Sequence, residues 1–284
     1  MRFPRCLLLP VLIFVSAFAA RAEVTAEIPF RFSHQLIWIK LDVPGRHEPL
    51  NFLLDTGAGA TVLNLQTARE LRLGLGNSEY VQGVNGRGIA HWVNGFKATA
   101  GGMPVGDGLL AVNLEAASRA CGRRIDGLLG ADFLNGRVVQ IDYSAAKIRL
   151  LDHAPAPERH AISLPLRRIN DGFDIPVSVS GNPTEWVRLD TGCDEALHWV
   201  IGKHDKLQYS RTVSVGLSQG SRHSATVDIR LGADSIRNVT IGFQKNQIFP
   251  GESGLMGNPL LAGYTVIIDT RSNRLLLEKT AAEK

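Results

Sequence analysis

The chain has 284 residues, 44% of them apolar and 20% charged, with 29 Gly, 13 Pro and 3 Cys. That composition excludes a disordered chain, a disulfide scaffold and a glycine-periodic fibre, and it predicts one or two globular domains. The formal charge of +4 makes no case for nucleic acid: without Arg2, Arg5 and Arg21, which fall in a candidate leader, 28 Lys and Arg face 27 Asp and Glu.

Residues 1–22 read as a secretory signal peptide, in which Arg2 and Arg5 precede the apolar run Leu7 to Ala19 and Ala20-Arg21-Ala22 supplies a small-x-small cleavage site. An uncleaved anchor is the competing reading, although a full span needs roughly 20 apolar residues. Short runs rich in Val, Ile, Leu and Phe then alternate with Gly, Asn and Asp clusters, which predicts strands at Ile37 to Val43 and Asn51 to Leu54. The second of these leads into Asp55-Thr56-Gly57. Gln66 to Leu73, followed by Gly74, reads as a brief helix, and the Asn85-Gly86 pair within Val81 to Gly88 signals a hairpin. Lys147 to Leu150 predicts a further strand. Asp152 to His160, with two prolines and three charged groups, reads as an exposed linker.

Beyond the linker the pattern returns. Strands are expected at Ile175 to Val179 and Val187 to Leu189, a helical stretch at Ala196 to Leu207 interrupted by Gly202, a one-turn helix at Asn258 to Gly263, and a strand at Arg274 to Leu277. Leu53-Leu54-Asp55-Thr56-Gly57 recurs as Arg188-Leu189-Asp190-Thr191-Gly192, and Leu128-Leu129-Gly130 recurs as Leu255-Met256-Gly257. Gly130 leads to Gly136 and Asp142 at the same offsets by which Gly257 leads to Gly263 and Asp269. The chain is a tandem duplication. The expected organisation is a signal at 1–22, a first domain at 23–151, a linker at 152–161 and a second domain at 162–284.

Each Asp-Thr-Gly follows an apolar strand and ends in a turn, which puts a carboxylate at the strand's exit with a glycine behind it. Asp and Gly are ordinary turn residues, but two copies at matching places in a duplicated unit argue for more. Packing about a pseudo-two-fold axis would bring Asp55 and Asp190 face to face. Adjoining carboxyls cannot both ionise cheaply, so such a pair holds one proton and contains an acid and a base together, the arrangement that hydrolyses a peptide through an activated water. The histidines lack zinc-ligand spacing, so neither a metal nor a cofactor is expected.

Leu54 to Leu63 resembles a retropepsin active-site segment, and Ile125-Asp126-Gly127-Leu128-Leu129-Gly130 resembles the apolar-apolar-Gly segment that packs behind it. The chain is similar in these motifs to the pepsin and retropepsin superfamily of aspartic proteases, specifically its bacterial exported members. The resemblance implies an all-β, two-lobed acid-protease fold, with β-barrel lobes related by pseudo-two-fold symmetry and few short helices. It makes Asp55 and Asp190 the catalytic pair, supported by Thr56, Gly57, Thr191 and Gly192, with Leu129-Gly130 and Met256-Gly257 as structural motifs. It also implies flaps over the cleft, formed by Gly83, Val84, Asn85 and Gly86 and by Gly216 and Leu217, with Tyr80 or Trp92 able to line the same cleft. Where pepsin-like enzymes place Ser or Thr after Asp-Thr-Gly, this chain has Ala58 and Cys193.

The reading is therefore an exported, monomeric aspartic endopeptidase. It acts on peptide or protein substrates and, after signal cleavage, has neither nucleic-acid nor membrane partners. The alternatives are a catalytically silent peptide-binding module on the same fold and a cysteine hydrolase using Cys193 with His198. Whether Cys121 and Cys193 are bonded is open at this stage.

Overall fold

The computed structural model describes residues 22–83, 86–105, 108–201, 210–213, 221–247 and 249–280. The candidate leader at 1–21 lies outside them. The described chain is mostly β with a few short helices. The first repeat contains β1 (Val24–Ser33), β2 (Leu36–Leu41), β3 (Leu50–Leu54), β4 (Val62–Asn64), β5 (Leu75–Gly83) and β6 (Gly86–Val93). It continues with β7 (Ala98–Ala100), β8 (Met103–Val105), β9 (Leu109–Val112), β10 (Gly127–Leu129), β11 (Val138–Asp142) and β12 (Lys147–Leu151). Its helices are α1 (Leu65–Glu70) and α2 (Glu115–Ala120), with a 3-10 turn at Ala131–Leu134.

The second repeat contains β13 (Ile162–Pro165), β14 (Arg167–Ile169), β15 (Gly172–Val179), β16 (Glu185–Leu189), β17 (Leu197–Val200) and β18 (Ser210–Val213). Then come β19 (Ser221–Leu231), β20 (Asp234–Gln244), β21 (Gly254–Met256), the one-turn helix α3 (Asn258–Leu261), β22 (Tyr264–Asp269) and β23 (Arg274–Lys279). Residues 152–161, between the repeats, form neither strand nor helix and are largely exposed.

Two larger sheets result. One has thirteen strands in the order β13-β23-β22-β11-β12-β1-β2-β3-β10-β4-β9-β6-β5, and the other has eight in the order β14-β15-β16-β21-β17-β20-β19-β18. An added β15–β19 pairing closes six strands of the second, β15-β16-β21-β17-β20-β19, into a barrel. The thirteen-stranded sheet draws on both repeats, because β11 pairs antiparallel with β22. Counting ten residues on from the equivalent Gly130 and Gly257 reaches Gln140 and Ile267, and these two pair with each other. A register centred on equivalent residues is what self-complementary packing of two copies requires.

Local chemistry explains the elements nearest the repeats' junction. The β1–β2 turn holds His34 and Gln35 at φ 54° and 60°, and the β14–β15 turn holds Asn170 and Asp171 at 46° and 58°. Both are two-residue hairpin turns with consecutive left-handed residues, whose twist suits the flanking strands. Helix α1 starts at Asn64, whose side chain accepts from the Gln66 N–H. It ends sooner than expected, because the left-handed residue closing it is Arg72 (φ 56°) rather than Gly74.

The expected helix from Ala196 is instead the strand β17. Leu197 and Trp199 are buried while His198 and Val200 are half-buried, a period of two that fits a strand between β21 and β20. Apolar partners on both sides decided the element, where propensity alone suggested a helix. The rest of that stretch, from Gly202, lies outside the described residues.

Candidate active site at the junction of the repeats

Each Asp-Thr-Gly leaves a central strand that is paired in parallel with the apolar-apolar-Gly segment of its own repeat. Leu54 at the end of β3 pairs with Leu129 of β10, and Leu189 at the end of β16 pairs with Met256 of β21. The Asp55 N–H donates to the Leu129 carbonyl at 2.9 Å, and the Asp190 N–H to the Met256 carbonyl at 2.9 Å. Gly130 and Gly257 then pack where no side chain fits: a Cβ would lie 2.5 Å from the Ala60 carbonyl carbon in one case and 2.2 Å from the Glu195 carbonyl oxygen in the other.

Four hydrogen bonds join the two loops reciprocally. Thr56 Oγ1 donates to the Leu189 carbonyl at 2.7 Å and accepts the Thr191 N–H at 3.0 Å; Thr191 Oγ1 donates to the Leu54 carbonyl at 2.8 Å and accepts the Thr56 N–H at 3.0 Å. Both threonines are fully buried. The glycines make room for the opposing acids, since a Cβ on Gly57 would sit 2.3 Å from Asp190 Cγ and one on Gly192 would sit 2.6 Å from Asp55 Cγ.

The carboxyls of Asp55 and Asp190 lie within hydrogen-bonding reach of one another. Asp55 also receives the N–H groups of Ala58, at 3.0 Å, and of Gly57. Asp190 receives the Gly192 N–H at 2.8 Å. Burial pushes the Asp55 carboxyl up from its usual value, against the pull of its backbone donors, of Asp190 and of the Arg188 guanidinium. Burial and then the charge of Asp55 push Asp190 well above the usual value, with less backbone donation to oppose them. The pair therefore retains a proton where isolated carboxyls would both be ionised.

Arg188, Glu252 and Asn258 complete the surroundings and were not singled out from the sequence as site residues. Arg188 is fully buried on β16, two residues before Asp190, and meets Glu252 in a two-pronged ion pair at 2.5 and 2.7 Å. A charged residue in the otherwise apolar lead-in Val187-Arg188-Leu189, where the first repeat has Leu53, was the available signal. Asn258 donates to the carbonyls of Thr191, at 2.6 Å, and Gln35, at 2.8 Å, and nothing in an Asn-Pro turn announces that role.

The candidate flap of the first repeat is the β5–β6 hairpin, in which Gly83 pairs with Gly86. Val84 and Asn85 lie outside the described residues. Tyr80 pairs with Ile89, so strand alternation puts Trp92 on the opposite face, alongside the buried Ala90. Tyr80 and Trp92 therefore do not line one surface together. Gly216 and Leu217 also lie outside the described residues, between β18 and β19, which pair antiparallel with Val213 opposite Ser221.

Cys121 and Cys193 are both free thiols. Burial first, then the acids Asp190, Glu195 and Asp194, push the Cys193 thiol far up. Nδ1 of His198, on a strand, lies 2.5 Å from Glu195 Oε2. A thiol held protonated, with the His198 imidazole engaged by Glu195, is a poor nucleophile.

Residues 39–136 match the family described as gag-polyprotein putative aspartyl protease. That span is a retropepsin-like aspartyl protease domain. It contains Asp55, Thr56, Gly57, the β5–β6 hairpin and Leu129-Gly130, whereas Asp190 belongs to the second repeat, beyond the match. No curated protein matches the chain.

Proposed function

We propose that this chain is an aspartic endopeptidase in which two lobes, one per repeat and related by a pseudo-two-fold axis, each supply one catalytic carboxyl. The observation that carries the reading is the facing pair of carboxyls, Asp55 half-buried and Asp190 buried, each set against the opposite loop's glycine and held by the reciprocal threonine bonds. The self-equivalent β11–β22 register supports the two-fold relation. With both acids in one chain, a second copy is unnecessary.

In the proposed reaction Asp55, with two backbone donors, is the base and Asp190 carries the shared proton. Asp55 takes a proton from a water lying between the carboxyls as the water oxygen bonds to the peptide carbonyl carbon. Asp190 gives its proton to the carbonyl oxygen, forming a neutral tetrahedral diol. Collapse returns one diol proton to Asp190 while Asp55 passes its proton to the departing amide nitrogen as the C–N bond breaks. The pair ends as it began. The β5–β6 hairpin would close over the substrate, and the leader at 1–22 would direct export to the periplasm or beyond.

The test is cleavage of a mixed peptide library across pH 3 to 8, with and without a statine inhibitor. Asp55→Asn and Asp190→Asn are each expected to lower turnover at least about a thousandfold, as loss of an essential acid or base does, with the circular dichroism spectrum unchanged. Near-normal cleavage by either variant overturns the reading. Because both acids are raised, activity should persist above the usual carboxylate range and fall as the shared proton is lost.

A further inference from the structure

The Gly57–Ala58 peptide unit is engaged at both ends. Its N–H donates to Asp55 Oδ1 at 3.0 Å, while its carbonyl accepts Nη1 of Arg188, from the other repeat, at 2.9 Å. Arg188 has no freedom to do otherwise. Its Nε and Nη2 are clamped by Glu252, Nη2 also reaches the Asn170 carbonyl at 3.2 Å, its face lies 3.9 Å over the Phe249 ring, and a Cβ on Gly172 would sit 2.2 Å from Nη1.

Stability does not explain this arrangement. A buried ion pair adds little over well-packed apolar side chains, and the equivalent position of the first repeat is Leu53, which is buried among Leu36, Trp38 and Val62. What Arg188 does that a leucine cannot is hold and polarise one carbonyl of the opposite repeat. Hydrogen bonds in series strengthen one another at low local dielectric, most when one end is charged.

We propose that Arg188 is a positioning residue for the carboxyl pair: clamped by Glu252, it orients and polarises the Gly57–Ala58 peptide so that Asp55, rather than Asp190, is the ionised partner. The inference rests on the two acids acting as a pair. It gives the duplicated site its asymmetry, because the matching relay to Asp190, from Asn258 through the Thr191 carbonyl at 2.6 Å and the Gly192 N–H at 2.8 Å, starts at a neutral amide rather than a guanidinium. The guanidinium's charge also lowers both acids against burial. The charged groups facing Arg188 are Glu252, Asp174 across β15, Arg167 paired to Asp174, and the two acids themselves.

The test is a carboxyl-carbon NMR titration of the full chain labelled at aspartate, with resonances assigned through Asp55→Asn and Asp190→Asn. In Arg188→Leu/Glu252→Gln the Asp55 midpoint should rise by about one pH unit, a tenfold gain in proton affinity, and in Arg188→Lys by less than half as much. Glu252→Gln alone keeps the relay and removes the counter-charge, so its Asp55 midpoint should fall; it serves if the double variant does not fold. An Asp55 midpoint unchanged in the folded double variant, or rising in Glu252→Gln, overturns the proposal. The titration reads proton sharing whether or not a peptide is cut. Shifted midpoints in a protein without peptidase activity would sustain this inference and remove the hydrolytic one; intact activity with unmoved midpoints would do the reverse.

Discussion

The two repeats agree at the carboxyl pair and part company one shell away. Leu53 in the first sits in an apolar cluster with Leu36, Trp38, Val62 and Ile125, whereas Arg188 in the second sits in an ionic one with Glu252 and, across β15, Asp174. The threonines and the glycines make the same contacts in both, because each threonine bonds to its own counterpart and each glycine admits the opposite acid, so a change in one would disturb the other. Residues that touch only their own repeat carry no such constraint. Reciprocal contact between counterparts, rather than closeness to the acids, is what keeps the copies alike: Arg188 also crosses the junction, to the Gly57 carbonyl, but its counterpart Leu53 returns no such bond.

The largest effect by which to break this comparison is on the threonines. Thr56→Val and Thr191→Val keep shape but each strands a buried N–H and a buried carbonyl, at about 1–3 kcal/mol apiece. Equal losses of roughly 2–6 kcal/mol are expected in urea unfolding. A markedly smaller loss for one of them would show that the junction is not shared evenly.

A smaller effect isolates the ionic side. Asp174 is fully buried, with one oxygen on Arg167 at 2.9 Å and the other unpartnered, and burial, opposed by Arg167, pushes its carboxyl from 3.8 up to about 6. Its folded value exceeds its unfolded one, so the folded state holds the extra proton. The stability this contributes is complete below pH 4 and is lost as pH rises through 6, by on the order of 3 kcal/mol. The raised acids at 55 and 190 tilt the balance the same way. Asp174→Asn should flatten the fall in melting temperature between pH 4 and 7, and an unchanged slope would exclude Asp174 as its source.

The division between the repeats' shared and private features also marks what the sequence made legible. The strands before Asp55 and Asp190, the glycines that admit the opposing acid, and the apolar-apolar-Gly segments follow local rules and repeat, so they can be read from spacing. The stretch from Ala196 could not. Its helix-forming residues were overruled by strand neighbours at Met256 and Phe243, far along the chain. Arg188 breaks an apolar run, which marks it as unusual, but its partners Glu252 and Gly57 are set only by the fold. Asn258 was visible as part of a helix start, and its bonds to Thr191 and Gln35 depend on two repeats meeting.

The smallest expected effect falls on the one position beside the acids where the copies differ without an evident gain. Ala58 follows the first Asp-Thr-Gly and Cys193 the second, and both main-chain N–H groups turn back to the preceding aspartate's carbonyl, at 3.1 and 3.2 Å. Among the described residues the Cys193 sulfur reaches only the Glu195 carbonyl, at 3.6 Å, so the half-buried side chain acts as a small hydrophobe. Cys193→Ala gives the second loop the residue of the first and should cost on the order of 1 kcal/mol while peptide cleavage persists. With its thiol held protonated by burial and by Asp190, the parent cysteine should resist iodoacetamide at neutral pH. Rapid alkylation, or cleavage lost with the sulfur, would make this difference a functional one and move the chemistry from the carboxyl pair to the thiol.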